Sequence, residues 1–184
     1  MIKISETISC TVILVIALKC NKSSNHPKIN NINEVAGGES ICDISVKYSG
    51  KLEASSIKLD NIIPLIDEIP ILAVLATQFK GEIVIRNAEE LRFKESDRIS
   101  SMIKTLNTFA IKTKEFNDGA TIDGGTITGG IVDSFGDHRI AMTAIIASCV
   151  SEKPIIVENC KNIDTSFPTF QKIMNLIGMN IKEY

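Results

Sequence analysis

The chain has 184 residues, 44% of them hydrophobic, and a formal net charge of −2. That is enough apolar material for a core in one domain, or in part of a larger one. The near-neutral charge argues against a general pull toward nucleic acid or an anionic membrane, and 5% aromatics without Trp argue against a base-stacking platform.

The first apolar run, residues 8–18, follows Met1-Ile2-Lys3 and superficially looks like a signal peptide. It is too short to span a membrane, and no small-residue cleavage site follows, so a buried helix is expected. Residues 21–33 are Asn-rich and read as a loop, although 28–32 resemble the end of a strand. Residues 41–48 alternate apolar and polar side chains, which predicts a strand. Asp67 and Glu68 precede an apolar helical run in which Pro70 occupies an early position, where its missing N–H costs nothing.

A strand is expected over 82–87. A helix should then start near Ser96, a good N-cap, because Ile99, Met102, Ile103 and Leu106 share one helical face. Between them stands Lys94-Glu95-Ser96-Asp97-Arg98. So much charge at a helix N-terminus, where free N–H groups and the dipole already favour an anion, suits an enzyme that handles phosphates and carboxylates. Asp137 is the expected N-cap of a helix over 140–150, with His138 and Arg139 in its first turn. A strand over 155–159 follows, and Thr165 or Ser166 is expected to cap the last helix.

The five cysteines, Cys10, Cys20, Cys42, Cys149 and Cys160, form no CxxC pair, and there are two His, which argues against a zinc site. Reduced thiols in a cytoplasmic protein fit this pattern.

The chain also repeats itself. Residues 67–114 and 137–182 share one order: acidic helix start, apolar helix, strand, polar loop, second helix, strand. Ile83-Val84-Ile85-Arg86-Asn87 matches Ile155-Ile156-Val157-Glu158-Asn159, and the tails ending in Ile111-Lys112 and Ile181-Lys182 match too. A period of about 70 residues is too long for a short solenoid and suits a βαβαββ subdomain. The expected fold is α/β (α+β): two complete copies over about 49–114 and 115–184, and a truncated copy over about 1–48, together making a single partial domain.

Four segments together resemble 5-enolpyruvylshikimate-3-phosphate synthases: Asp67 with Ile69-Pro70, the run 88–98, Gly136-Asp137-His138-Arg139-Ile140-Ala141-Met142, and Thr165-Ser166-Phe167-Pro168. The resemblance covers about 33–184. The sister family that transfers enolpyruvyl to UDP-N-acetylglucosamine shares the fold but does not normally carry the Lys-Glu-Ser-Asp-Arg run.

The resemblance implies a transferase of the shikimate pathway, which leads to the aromatic amino acids. Such an enzyme joins phosphoenolpyruvate to the 5-hydroxyl of shikimate 3-phosphate and releases phosphate, without metal or organic cofactor. It implies two domains of three βαβαββ subdomains each, with the site in the cleft between them. This chain resembles only the C-terminal domain, and the helix after an Asn-Pro-Thr-Arg-Thr-Gly-like segment is missing from its first copy. The alternatives are an inactive remnant, or a half-enzyme that pairs with a separate N-terminal domain.

By the same resemblance Asp67 deprotonates the shikimate hydroxyl, Glu95 shuttles the methylene proton and Lys94 contacts the shikimate substrate. Arg98 and Arg139 hold phosphoenolpyruvate, and His138 lines the site. From the residues alone, Asp67 reads as a helix cap, Glu95 as a first-turn carboxylate, and Arg98 and Arg139 as ion-pair partners of Asp97 and Asp137. Some members carry a Lys where this chain has Thr165.

Overall fold

The structure is a computed structural model and describes residues 28–34, 40–45, 52–59 and 63–184. The expected helix over 8–18 lies outside the described residues. Residues 1–52 and 53–184 form two compact units. In the first unit, β1 (Lys28–Glu34) pairs antiparallel with β2 (Ser40–Ser45), with a register shift between Asn30 and Asn33. β1 contains residues 28–32, which resemble a strand end in sequence, and shortens the Asn-rich loop expected over 21–33.

The second unit begins with a complete βαβαββ copy. Its elements are β3 (Leu52–Leu59), α1 (Ile69–Ala76), β4 (Phe79–Ile85), α2 (Arg98–Thr108), β5 (Thr113–Phe116) and β6 (Gly119–Asp123). They form one four-stranded sheet in the order β3-β4-β6-β5. β6 runs antiparallel to both neighbours, so Ile83 faces Ile122 and Ile85 faces Ala120 across the β4 pair. A boundary after Lys114 would cut through β5; the sheet itself continues to Asp123. Gly124 closes the copy where a side chain would not fit, since a Cβ there would lie 1.6 Å from the Phe79 carbonyl oxygen.

The next copy contributes β7 (Gly130–Asp133), α3 (His138–Ala147), β8 (Ile155–Glu158), the short α4 (Asn162–Ser166) and α5 (Phe170–Leu176). β7 and β8 pair in parallel. The strand expected at the end of this copy, after the tail that matches Ile111-Lys112, does not form among the described residues. The backbone N–H of Ile181 donates to the Asn175 side-chain oxygen at 2.8 Å, and the Asn175 amide donates to the Ile181 carbonyl at 3.1 Å. These bonds engage groups that a strand would offer to a ladder. The last helix also starts later than expected. Thr165 and Ser166 lie inside α4, and Thr169 precedes α5 without a side-chain cap.

The two matched strand ends have a shared cause. Asn87 and Asn159 both adopt the left-handed conformation, with φ of 59° and 56°, which Asn tolerates better than most residues. Each turns the chain out of its strand toward a second helix.

The core is a three-helix layer. α1 buries Ile69, Pro70, Ile71, Ala73, Val74 and Ala76 and is apolar all round, with Leu72 and Leu75 half-buried on its remaining face. α2 is amphipathic and turns Ile99, Met102, Ile103 and Leu106 inward. α3 adds Ile140, Ala141, Met142, Ala144, Ile146 and Ala147. These three helices pack on one another. The residues just before each of them meet at one end of the layer, and that convergence builds the site.

Candidate active site

The loop leading into α2 is tied down by Arg92. This residue closes a 3-10 turn over Glu89–Phe93. Its Nε donates to the Asn117 carbonyl at 2.7 Å, and its Nη2 to the Phe116 carbonyl at 2.7 Å and to Glu115 at 3.0 Å. Its Nη1 donates to Asp97 Oδ2 at 2.7 Å. Asp97 in turn caps α2, its Oδ1 accepting from the Ser100 N–H at 3.0 Å. The cap is thus one residue later than the sequence suggested. Ser96 is released for another task, and its hydroxyl donates to Asp137 Oδ2 at 3.1 Å.

Arg98 is the centre of the cluster, and its side chain is 2% exposed. Nε donates to Asp137 Oδ2 at 2.8 Å, Nη1 donates to Asp67 Oδ1 at 3.0 Å, and Nη2 donates to Glu95 Oε2. Asp137 is fully buried. Its Oδ1 caps α3, accepting from the backbone N–H groups of Arg139 at 2.8 Å and Ile140 at 3.3 Å. Burial pushes the Asp137 carboxyl up. The hydrogen bond and charge of Arg98, with help from the two backbone donors, outweigh burial and hold it below its ordinary 3.8.

Arg139 reaches back toward α1. Its Nη1 donates to the Asp67 carbonyl at 3.0 Å and lies 3.4 Å from Glu68 Oε1, while Nη2 is 3.5 Å from Asp67 Oδ2. Lys94 Nζ donates to Glu90 and lies 3.8 Å from Asp67 Oδ1. The Glu90 bond is the main reason the Lys94 ammonium is held above its usual range. His138 Nδ1 stands 3.7 Å from Glu95 Oε1.

All six residues singled out in the sequence, Asp67, Lys94, Glu95, Arg98, His138 and Arg139, therefore meet in one cluster. The ion pairs expected from spacing are redistributed. Asp97 pairs with Arg92 and not Arg98, because its carboxylate is turned toward the α2 cap. Asp137 receives Arg98, and touches Arg139 only through the backbone N–H.

Sequence reasoning assigned no site role to Ser96, Glu68 or Glu90, and saw Asp137 only as a cap and neighbouring ion partner. Its place as an N-cap gave no sign that Asp137 would bridge two helix starts. Among the described residues no group of three or more His, Cys, Asp or Glu is arranged to hold a metal ion. No helix among them is long and apolar enough to cross a membrane.

The cluster offers three fixed cations beside carboxylates of unequal exposure. That combination suits the binding of a carboxylate or phosphate by cations and proton transfer by carboxylates.

The sequence profile described as EPSP synthase (3-phosphoshikimate 1-carboxyvinyltransferase) matches residues 13–174. This chain belongs to the EPSP synthase family. A 3-phosphoshikimate 1-carboxyvinyltransferase of Legionella pneumophila (strain Corby) is 40% identical over 157 residues, which are 85% of this chain and 36% of that protein. One from Coxiella burnetii (strain RSA 331 / Henzerling II) is 41% identical over 144 residues, 78% of this chain and 33% of that protein. The solved EPSP synthase of Acinetobacter baumannii superposes with a TM-score of 0.79 at 34% identity, covering 95% of this chain and 41% of that one. An enolpyruvyl transferase from Streptomyces tendae shares the fold at TM-score 0.59 and 15% identity, covering 85% and 33% of the two chains. The chain thus spans between 33% and 41% of the length of these EPSP synthase relatives.

Proposed function

We propose that this chain forms one wall of a site that transfers the enolpyruvyl group of phosphoenolpyruvate to the 5-hydroxyl of shikimate 3-phosphate, releasing phosphate. The observation that carries the reading is the convergence of Asp67, Lys94, Glu95, Arg98, His138 and Arg139 at three helix starts. Membership of the EPSP synthase family supplies the reaction.

On this reading Arg98 and Arg139 hold phosphoenolpyruvate, using planar donors that match a carboxylate or phosphate. Lys94 contacts the shikimate substrate, and His138 lines the same pocket. Asp67 takes the proton of the attacking hydroxyl as oxygen bonds to the central carbon of phosphoenolpyruvate. Glu95 delivers a proton to the methylene, then removes one as phosphate departs and the double bond returns. Both carboxylates are about half exposed, at 44% and 49%, so an incoming substrate can reach them.

The remaining contacts come from the part of the relatives' length that this chain does not span, which we place in a separate N-terminal half and in the cytoplasm. With one wall of the cleft, each lost charge-assisted contact weakens binding by about 1.5–3 kcal/mol, so the chain alone should bind phosphoenolpyruvate weakly. Amide NMR of the purified chain titrated with phosphoenolpyruvate tests this. Shifts concentrated in residues 94–98 and 137–139 are expected. Shifts confined to other regions, or none at saturating ligand, would remove the reading.

A further inference from the structure

Arg98 is held in two different ways. Its Nη1 and Nη2 meet Asp67 and Glu95, whose side chains are 44% and 49% exposed. Its Nε meets Asp137, which is fully buried. The first two partners are open to solvent, although Asp67 also lies 3.5 Å from Arg139 and 3.8 Å from Lys94. Asp137 cannot turn toward solvent, because its other oxygen is fixed by the first backbone N–H groups of α3 and its Oδ2 also receives the Ser96 hydroxyl.

An anion approaching from solvent therefore meets the Nη edge of the guanidinium and can take the places of Asp67 and Glu95. The Nε edge stays engaged throughout. In the absence of an anion the exposed carboxylates neutralise the cation. An anion that took their places would leave both carboxylates beside it.

We infer that Asp137 is the positioning residue of this site: it acts through Arg98, fixing the guanidinium so that its Nη edge faces the anion, with Ser96 steadying the shared oxygen. The inference rests on the proposed function only for the identity of the anion, a small phosphorylated carboxylate. It also gives the α3 cap a second purpose, since one carboxylate starts a helix in one copy of the repeat and aims an arginine from the other.

Asp137→Asn separates the two tasks. Asn caps a helix about as well as Asp, but it carries no charge for Arg98. Phosphoenolpyruvate binding to the purified chain, read by amide NMR titration, is expected to weaken about tenfold to a hundredfold in Asp137→Asn, the range for losing one charge-assisted hydrogen bond. Ser96→Ala leaves Asp137 and Arg98 paired and keeps the fold safe. It should weaken binding by a smaller factor in the same direction.

A role limited to capping would lower the melting temperature of Asp137→Asn and leave the affinity of the folded protein unchanged, which would overturn the inference. If Asp137→Asn does not fold, Ser96→Ala decides: affinity equal to wild type overturns it. Failure of the unmutated chain to bind phosphoenolpyruvate at all would instead remove the proposed function, and this inference with it.

Discussion

Arg98→Ala is expected to lower the unfolding free energy at neutral pH by about 3–5 kcal/mol, the usual cost of breaking a buried ion pair and leaving one charge behind. The charge left behind is Asp137, which has no exposure to solvent and retains only the Ser96 hydroxyl and two backbone donors. Urea unfolding at a series of pH values checks both the size of the loss and its origin. In the wild type Arg98 holds the Asp137 carboxyl below its ordinary 3.8. A depressed carboxylate contributes stability that is complete above the unfolded value and is lost as the pH falls through the folded one. Without Arg98, burial pushes the carboxyl up, so the mutant relieves its penalty by protonation. The difference between wild type and mutant should therefore be large at pH 7, begin to shrink above the ordinary carboxyl value as the mutant Asp137 takes up its proton, and finish shrinking below that value as the wild-type Asp137 does. A difference of the same size at all pH values would show that lost packing, and not the unpaired carboxylate, explains the effect.

Glu95→Gln is expected to reduce enolpyruvyl transfer by about a hundredfold to ten-thousandfold, the range for a positioned acid–base group. Gln keeps the size and hydrogen-bonding reach of Glu but cannot exchange the methylene proton. It leaves Arg98 with Asp137 and Asp67 as partners, so the fold should survive. Binding of phosphoenolpyruvate should not weaken, because Glu95 occupies the Nη2 edge that the anion would take. A loss carried by binding, with turnover of the bound substrate intact, would contradict the proposed role. The relevant assay contains this chain together with the N-terminal part of a full-length relative, since the chain covers 36% of the Legionella pneumophila protein.

Much of the scaffold is written in local sequence. The helix start at Pro70 follows from the early proline, the one at Asp137 from its side-chain cap, and the strand ends before Asn87 and Asn159 from two asparagines that share a left-handed turn. What escaped are features decided by tertiary partners. Ser96 and Asp97 are both good caps, and the choice falls to Asp97 because Ser96 faces a carboxylate from the other copy. The tail ending in Ile181-Lys182 matches the one ending in Ile111-Lys112, which leads straight into β5. Yet Asn175 binds the Ile181 backbone, and no strand follows α5 among the described residues. Family resemblance singled out the six residues that meet in the cluster, whereas spacing alone offered caps and ion pairs for most of them. The anchoring of Arg98 by Asp137 joins positions 39 apart in sequence, which no local pattern announces.

The most direct test of the central claim is phosphate release from shikimate 3-phosphate and phosphoenolpyruvate. It would use this chain combined with the segment of the Legionella pneumophila relative that the chain does not span, and the relative's own two segments as positive control. Release well above that of either part alone, abolished by Glu95→Gln, is the predicted result. Release by the control pair but none by the hybrid, although its parts associate, would contradict the claim that this cluster is a working wall of an enolpyruvyl transferase site.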